Sequence, residues 1–201
     1  MVGPEGGEPS WVTMDPVSPN DLCFGPDGLF YVTDPTRPIT RNNGRLQSVD
    51  PTSGDTEILA QVDSYSNGIG FGFDPEVLVV ADSTNGKIVR FSLDDGRLGP
   101  PDAFIQVEKG RLDGFDFDVE GNLVLAVPAA GRIETWSMEG ELLDVTVAGP
   151  HDHYTNLALD EHGVLILCDA HEGTVIMYEN WPAVGLPLFP FGARPVTPRT
   201  A

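Results

Sequence analysis

The sequence predicts an all-β fold, and three observations support this prediction. The chain of 201 residues contains 23 glycines and 18 prolines, so turn residues interrupt it too often for long helices. Short runs of β-branched, aromatic or alternating residues lie between these turns, as expected for β-strands. The sequence also repeats itself, which is typical of folds built from stacked units.

Each repeat opens with an Asn or Asp just before a short apolar segment. The leading residues recur at intervals of 47, 46 and 43 residues and are Asn20, Asn67, Asp113 and Asn156. After each leading segment come a turn and a β-branched or aromatic run, at 29–33, 77–81, 123–127 and 164–168. A second turn glycine then opens an alternating strand, at Gly44, Gly86, Gly131 and Gly173. Each repeat is therefore interpreted as four short antiparallel strands in about 40–45 residues, the blade of a β-propeller.

Four such blades occupy residues 17–190 as one predicted domain, with an N-terminal segment at 1–16 and a loose tail at 191–201. The apolar, proline-spaced segment 181–190 is predicted to pack across a blade edge. Propellers have about four to eight blades, so the chain could be a four-bladed ring, an arc closed by a partner, or a fragment of a longer propeller. Open blade edges would favour self-association.

The charge distribution excludes several classes of partner. The chain carries 31 acidic and 11 basic side chains, a formal net charge of −20. Such a charge repels nucleic acids and anionic membrane surfaces. The sequence has neither an apolar run of about 18 residues nor a signal-peptide pattern at its start. Two cysteines, Cys23 and Cys168, are too few for a disulfide scaffold, so free thiols in a reducing cytoplasm are expected.

The four leading residues are candidates for a site on the propeller axis. The first strand of each blade lines the channel, so symmetry predicts that the side-chain oxygens of these residues converge at one mouth of it. Amide and carboxylate oxygens suit a hard cation, calcium above all, with zinc, magnesium and manganese as alternatives. Asn and Asp also cap turns before strands, and this simpler interpretation remains open.

The blade motifs resemble a known family. They are Pro19–Leu22, Ser66–Phe71, Leu112–Phe115, Glu120–Leu123 and Tyr154–Leu157. In this order and spacing they are similar to the motifs of the senescence marker protein/gluconolactonase/luciferin-regenerating-enzyme family. The resemblance implies a six-bladed propeller that binds a divalent cation in its channel and hydrolyses lactones or related esters.

The same resemblance assigns expected roles to individual residues. Asn67 and Asp113 match the family's metal ligands, and Asp113 also matches its base. Asn20 matches a residue near the metal, and Asn156 matches a channel position. Independently of the resemblance, His153 lies just before the fourth inner strand and is a candidate substrate contact or proton shuttle at the channel mouth. The expected partner is a small lactone or ester.

Two family features lack a counterpart in the sequence. A Glu ligand in an early Glu-Gly-Pro motif is not found at a matching distance, and Ser18–Pro19 stands where sugar-acting members have an Arg. A non-catalytic or truncated propeller that serves as a binding or assembly module is therefore the alternative hypothesis.

Overall fold

The computed structural model describes residues 12, 16–35 and 44–189, and in these residues it confirms an all-β fold of sixteen strands. The described residues contain no helix with the length and apolarity that a membrane span requires. The remainder of the predicted N-terminal segment and the predicted tail lie outside the described residues.

The strands form four antiparallel sheets in chain order, one for each repeat. The first blade contains β1 (Leu22–Phe24), β2 (Phe30–Asp34), β3 (Gly44–Val49) and β4 (Thr56–Val62). The second contains β5 (Ser66–Phe71), β6 (Val77–Asp82), β7 (Lys87–Asp94), β8 (Arg97–Leu98) and β9 (Asp102–Gln106), of which β8 and β9 both pair with β7. The third contains β10 (Phe115–Phe117), β11 (Leu123–Val127), β12 (Arg132–Trp136) and β13 (Leu142–Val147). The fourth contains β14 (Tyr154–Leu159), β15 (Leu165–Asp169) and β16 (Thr174–Tyr178).

The blades pack side by side through their first strands. β1 and β2 contact β5, β5 contacts β10, and β10 and β11 contact β14. A separate apolar cluster fills each of the three interfaces, as β-sheets with one face on a neighbour require. Between the first two blades, for example, Tyr31 meets Phe71 edge-on with ring centroids 5.0 Å apart. This packing brings the starts of the four first strands to the same side of the four blades.

The fourth blade has an apolar side that does not contact the third. Side chains alternate across a strand, so Leu165 and Leu167 are buried against the third blade while Ile166 points the other way. Ile166, Val175 and Met177 are 42%, 68% and 60% exposed. Among the described residues, the row of four blades therefore ends with a sheet face that no other blade covers.

The segment after β16 runs along the side of the blades on which the first strands end. Trp181 donates its backbone N–H to Gly163, and Leu186 donates its own to Phe117. Phe189 then reaches the second blade, where its ring lies 6.1 Å from that of Phe71. The segment thus ties three blades together on this side.

Asp34, at the end of β2, is a buried anchor of the first blade. It is fully buried, and its carboxylate accepts hydrogen bonds from the backbone N–H groups of Val17 and Ser18 and from the Arg45 side chain. We expect Asp34→Ala to lower the free energy of unfolding by about 3 kcal/mol, because it leaves these donors without their acceptor. Chemical denaturation measures this loss.

The matched control for this prediction is Asp102→Ala. Asp102 also pairs with an arginine, Arg90, at 2.7 Å, but the two side chains are 59% and 38% exposed. An exposed ion pair contributes about 0–1 kcal/mol, so the control should change stability little. Equal losses in both variants would contradict a special role for burial at Asp34.

Candidate functional site

The pairing register shows which residues hold equivalent positions in the first strands. In each blade, one first-strand residue pairs with the same position of the second strand. These first-strand residues are Leu22, Ile69, Phe115 and Leu157. Two residues before these lie Asn20, Asn67, Asp113 and Thr155. In the fourth blade the equivalent position is therefore held by Thr155, and Asn156 lies one residue further along, level with Asp21, Gly68 and Gly114.

A cavity of about 880 Å³ opens where these strands begin. Asn67, Asp113 and His153 all contribute to its wall. The other lining residues are Tyr65, Ser83, Thr84, Arg111, Leu112, Pro128, Ala129 and Thr155. Asn20 lies next to this wall, because its Nδ2 donates a hydrogen bond of 2.9 Å to the Tyr65 hydroxyl. The structure thus brings Asn67, Asp113 and His153 to one cavity and places Asn20 beside it.

Asn67 is held firmly in place at the start of β5. Its side chain is buried, and Nδ2 lies 3.2 Å from the Ser83 Oγ and 3.4 Å from the Leu112 carbonyl oxygen. Its backbone carbonyl accepts a hydrogen bond of 2.8 Å from the Thr33 hydroxyl of the first blade. With Nδ2 engaged in this way, the amide presents Oδ1 as its ligand atom.

Asp113 has an electrostatic environment that disfavours its charge. Burial, with a further contribution from the Asp21 carboxylate, raises the pKa of Asp113 to about 7. Hydrogen bonds from the Asn67 side chain and the Gly114 backbone oppose this effect in part. In the metal-free chain such a carboxylate takes up a proton near neutral pH, whereas a bound cation would lower its pKa.

Asp21 is a second carboxylate that acts on Asp113, although it does not line the cavity, and it is not among the residues predicted from the sequence. Burial raises its pKa, although its side chain accepts backbone hydrogen bonds from Leu22 and Ile69. Its charge raises the pKa of Asp113, so the two carboxylates lie in one electrostatic environment. The available signal is the position of Asp21 directly after Asn20, at the start of the first strand.

The two remaining predicted residues lie in the fourth blade. His153 is 55% exposed, and its Nδ1 lies 2.6 Å from Asp152 Oδ1. Asn156 is exposed, and its Oδ1 accepts a hydrogen bond of 2.8 Å from the Leu157 backbone N–H. This Asn156 oxygen covers Gly114, where a Cβ atom would overlap with it. Asn156 therefore packs on the third blade beside Asp113.

The donors at this site suit a hard divalent cation. Asn67 and Asp113 offer oxygen atoms in the cavity wall, and the raised pKa values of Asp113 and of Asp21 indicate that the fold leaves their negative charge poorly compensated. A cation would supply that compensation. Glu5 and Glu8, the only acidic residues before Asp15, lie outside the described residues.

Three comparisons with known proteins bear on the identity of this fold. The chain is 27% identical over 178 residues to a gluconolactonase of Zymomonas mobilis, a match that covers 79% of this chain and 49% of that protein. It is 32% identical over 129 residues to a 6-deoxy-6-sulfogluconolactonase of Pseudomonas putida, covering 62% and 44%. The crystal structure of the calcium-binding protein regucalcin from Agrobacterium tumefaciens superposes with a TM-score of 0.69 at 21% identity, covering 79% and 60%.

These matches confirm the propeller architecture and show how much of each relative the chain covers. The chain spans about half the length of the two curated relatives. Residues 9–168 match the family model described as the SMP-30/Gluconolactonase/LRE-like region. Because this match covers most of the sequence, the chain belongs to the SMP-30/gluconolactonase/LRE-like family.

Proposed function

We propose that this chain takes part in the hydrolysis of lactones or related esters, assisted by a divalent cation, with calcium as the first candidate. The observation that carries the proposal is the meeting of Asn67 and Asp113, from neighbouring blades, in one cavity at the start of the first strands. Family membership supports the reaction class, since relatives that cover most of this chain are named as lactonases.

Asn67 and Asp113 would hold the cation, with Asp21 close enough to add negative charge. When bound, the cation would polarise the carbonyl of the substrate and stabilise the oxyanion that develops on it. Oxygen donors favour calcium or magnesium over softer metals at this position.

Asp113 would act as the general base. Its carboxylate would take a proton from a water molecule while the water oxygen forms a bond to the acyl carbon. The carbon–oxygen bond of the lactone ring then breaks, and the leaving oxygen receives a proton from protonated Asp113 or through His153. Asn67 would keep the base in position through its hydrogen bond to the Asp113 carboxylate.

The test measures two properties of the full chain separately. Thermal unfolding with and without calcium reports cation binding, and a panel of sugar and aliphatic lactones assayed above their spontaneous hydrolysis reports catalysis. We expect calcium to raise the melting temperature and to be needed for turnover of at least one lactone. Stabilisation without any turnover would favour the alternative, a propeller that serves as a binding module. If calcium does not stabilise the chain and no lactone is hydrolysed, both hypotheses are refuted.

A further inference from the structure

We propose a second metal site, for a zinc-type transition-metal ion, formed by His151, His171 and Glu172 at the loops next to the fourth blade. His151 lies in the loop before β14, and the other two residues lie in the turn between β15 and β16. None of the three belongs to the proposed calcium site, so this inference does not depend on the proposed function.

The distances among these side chains match those of ligands that share one ion. One potential ligand atom from each residue lies within 4.8 Å of the others. His151 Nε2 is 3.5 Å from Glu172 Oε1, and His171 Nε2 is 3.8 Å from the same oxygen. Both distances are too long for good hydrogen bonds, which are about 2.9 Å. Two ligands bound to a tetrahedral zinc ion at about 2.1 Å lie about 3.4 Å apart.

Asp169 fixes the positions of all three candidate ligands. It is 2% exposed, and its Oδ2 lies 2.8 Å from His151 Nδ1. Its Oδ1 accepts the backbone N–H groups of His171 and Glu172 at 2.9 and 3.2 Å. Histidine ligands usually donate their second ring N–H to a carboxylate or carbonyl, which leaves the other nitrogen for the metal. Asp169 is therefore a positioning residue that directs His151 Nε2 toward Glu172.

The equivalent turn of the second blade shows what is special about this arrangement. There Asp82 Oδ1 accepts the backbone N–H groups of Thr84 and Asn85, each at 3.0 Å. The second oxygen of Asp82 is used within the turn, by the Asn85 side chain at 2.7 Å. In the fourth blade the corresponding oxygen of Asp169 instead reaches the neighbouring loop. The turn is thus a shared scaffold, whereas the histidines and the glutamate are particular to the fourth blade.

The chemistry of the donors selects the class of metal. The rings of His151 and His171 lie side by side, with centroids 4.9 Å apart and an angle of 13° between their planes. Two imidazole rings are therefore available close to the Glu172 carboxylate. Two imidazoles and a carboxylate suit zinc, nickel, cobalt or copper better than calcium. Asp152 and His153 form a second, separate group of potential ligands with His171.

The experiment titrates the full chain with Zn²⁺, and separately with Co²⁺, in about 0.15 M salt and an excess of Ca²⁺. The excess calcium competes with the added ions at carboxylate sites, including the one proposed in the cavity, whereas it competes poorly at a site with two imidazole ligands. We expect one Zn²⁺ per chain and a visible Co²⁺ spectrum typical of few-coordinate nitrogen and oxygen ligands. His171→Ala should abolish both signals, and Asp169→Asn should weaken binding about 10–100-fold.

The matched control is His162→Ala. His162 also lies 3.8 Å from a neighbouring glutamate, Glu161, but it sits at the opposite end of the blade and is 76% exposed. This variant should bind Zn²⁺ as the parent does. The proposal is overturned if the parent binds no Zn²⁺ in excess Ca²⁺, or if His171→Ala binds it with unchanged affinity. Lactone hydrolysis is measured separately, so failure at one site leaves the result for the other intact.

Discussion

Replacing Asp113 with Asn is expected to lower lactone hydrolysis about 10²–10⁴-fold, the contribution usual for a general base. The two side chains have nearly the same shape, so the cavity should keep its form while the proton acceptor is lost. The calcium-induced rise in melting temperature should disappear as well, because Asn removes one of the charges that hold the cation. Initial rates on the best lactone and thermal unfolding with calcium measure these effects.

The same substitution should have the opposite effect on the stability of the metal-free chain. In the unfolded chain Asp113 is ionised above about pH 4, whereas burial and Asp21 raise its pKa to about 7 in the folded protein. The stability associated with the protonated form is therefore present at low pH and is lost as the pH rises through 7. We expect Asp113→Asn to stabilise the metal-free chain at pH 8 by on the order of 1–2 kcal/mol, and to have little effect at pH 4.

Asp102→Asn is the control for both measurements, because Asp102 is an exposed carboxylate in the outer strand of the second blade. It should alter neither turnover nor the response to calcium. An Asp113→Asn variant that hydrolyses lactones at the parental rate would exclude Asp113 as the base. A variant that loses activity but still gains stability from calcium would separate the base from the cation site.

Most of the fold could be predicted from the spacing of turn glycines. Gly86 and Gly131 adopt positive φ values of 65° and 64°, a conformation that favours glycine, so they mark the same turn in two blades. In the part of the chain that the structure describes, the last blade has three strands, and this difference also has a signal in the sequence. The first three repeats have a third turn glycine, at Gly54, Gly96 and Gly140, and the last repeat has none.

The site was only partly predictable, because local motifs do not fix contacts between loops. Asn67 and Asp113 stand in motifs that place them at equivalent ends of neighbouring strands. In the fourth blade the motif contains Thr155 and Asn156 side by side, and only the pairing register shows that Thr155 holds the position equivalent to Asp113. No motif of the sequence links His171 to His151, yet the turn after β15 brings their rings to a centroid distance of 4.9 Å.

Gly68→Ala is expected to lower the free energy of unfolding by about 2–3 kcal/mol, because a methyl group has no space there. A Cβ atom at Gly68 would lie 2.6 Å from the Asp113 carbonyl oxygen and 2.9 Å from the Phe115 ring. The carbonyl belongs to the backbone of the third blade and cannot rotate away, so the second and third blades must separate. Chemical denaturation of the two proteins measures the loss of stability.

The separation should also impair the site, because Asn67 and Asp113 come from the two blades that the methyl group pushes apart. A displacement of about 1 Å can reduce catalysis on the order of 100-fold, so turnover should fall more than stability alone explains. Gly70→Ala is the matched control, since it adds the same methyl to the same strand but meets the Phe115 ring at 3.1 Å and not the backbone. Its smaller expected loss, under about 1.5 kcal/mol, would come with nearly unchanged turnover. Equal effects of the two substitutions would mean that the close approach of the blades at Gly68 does not position Asp113.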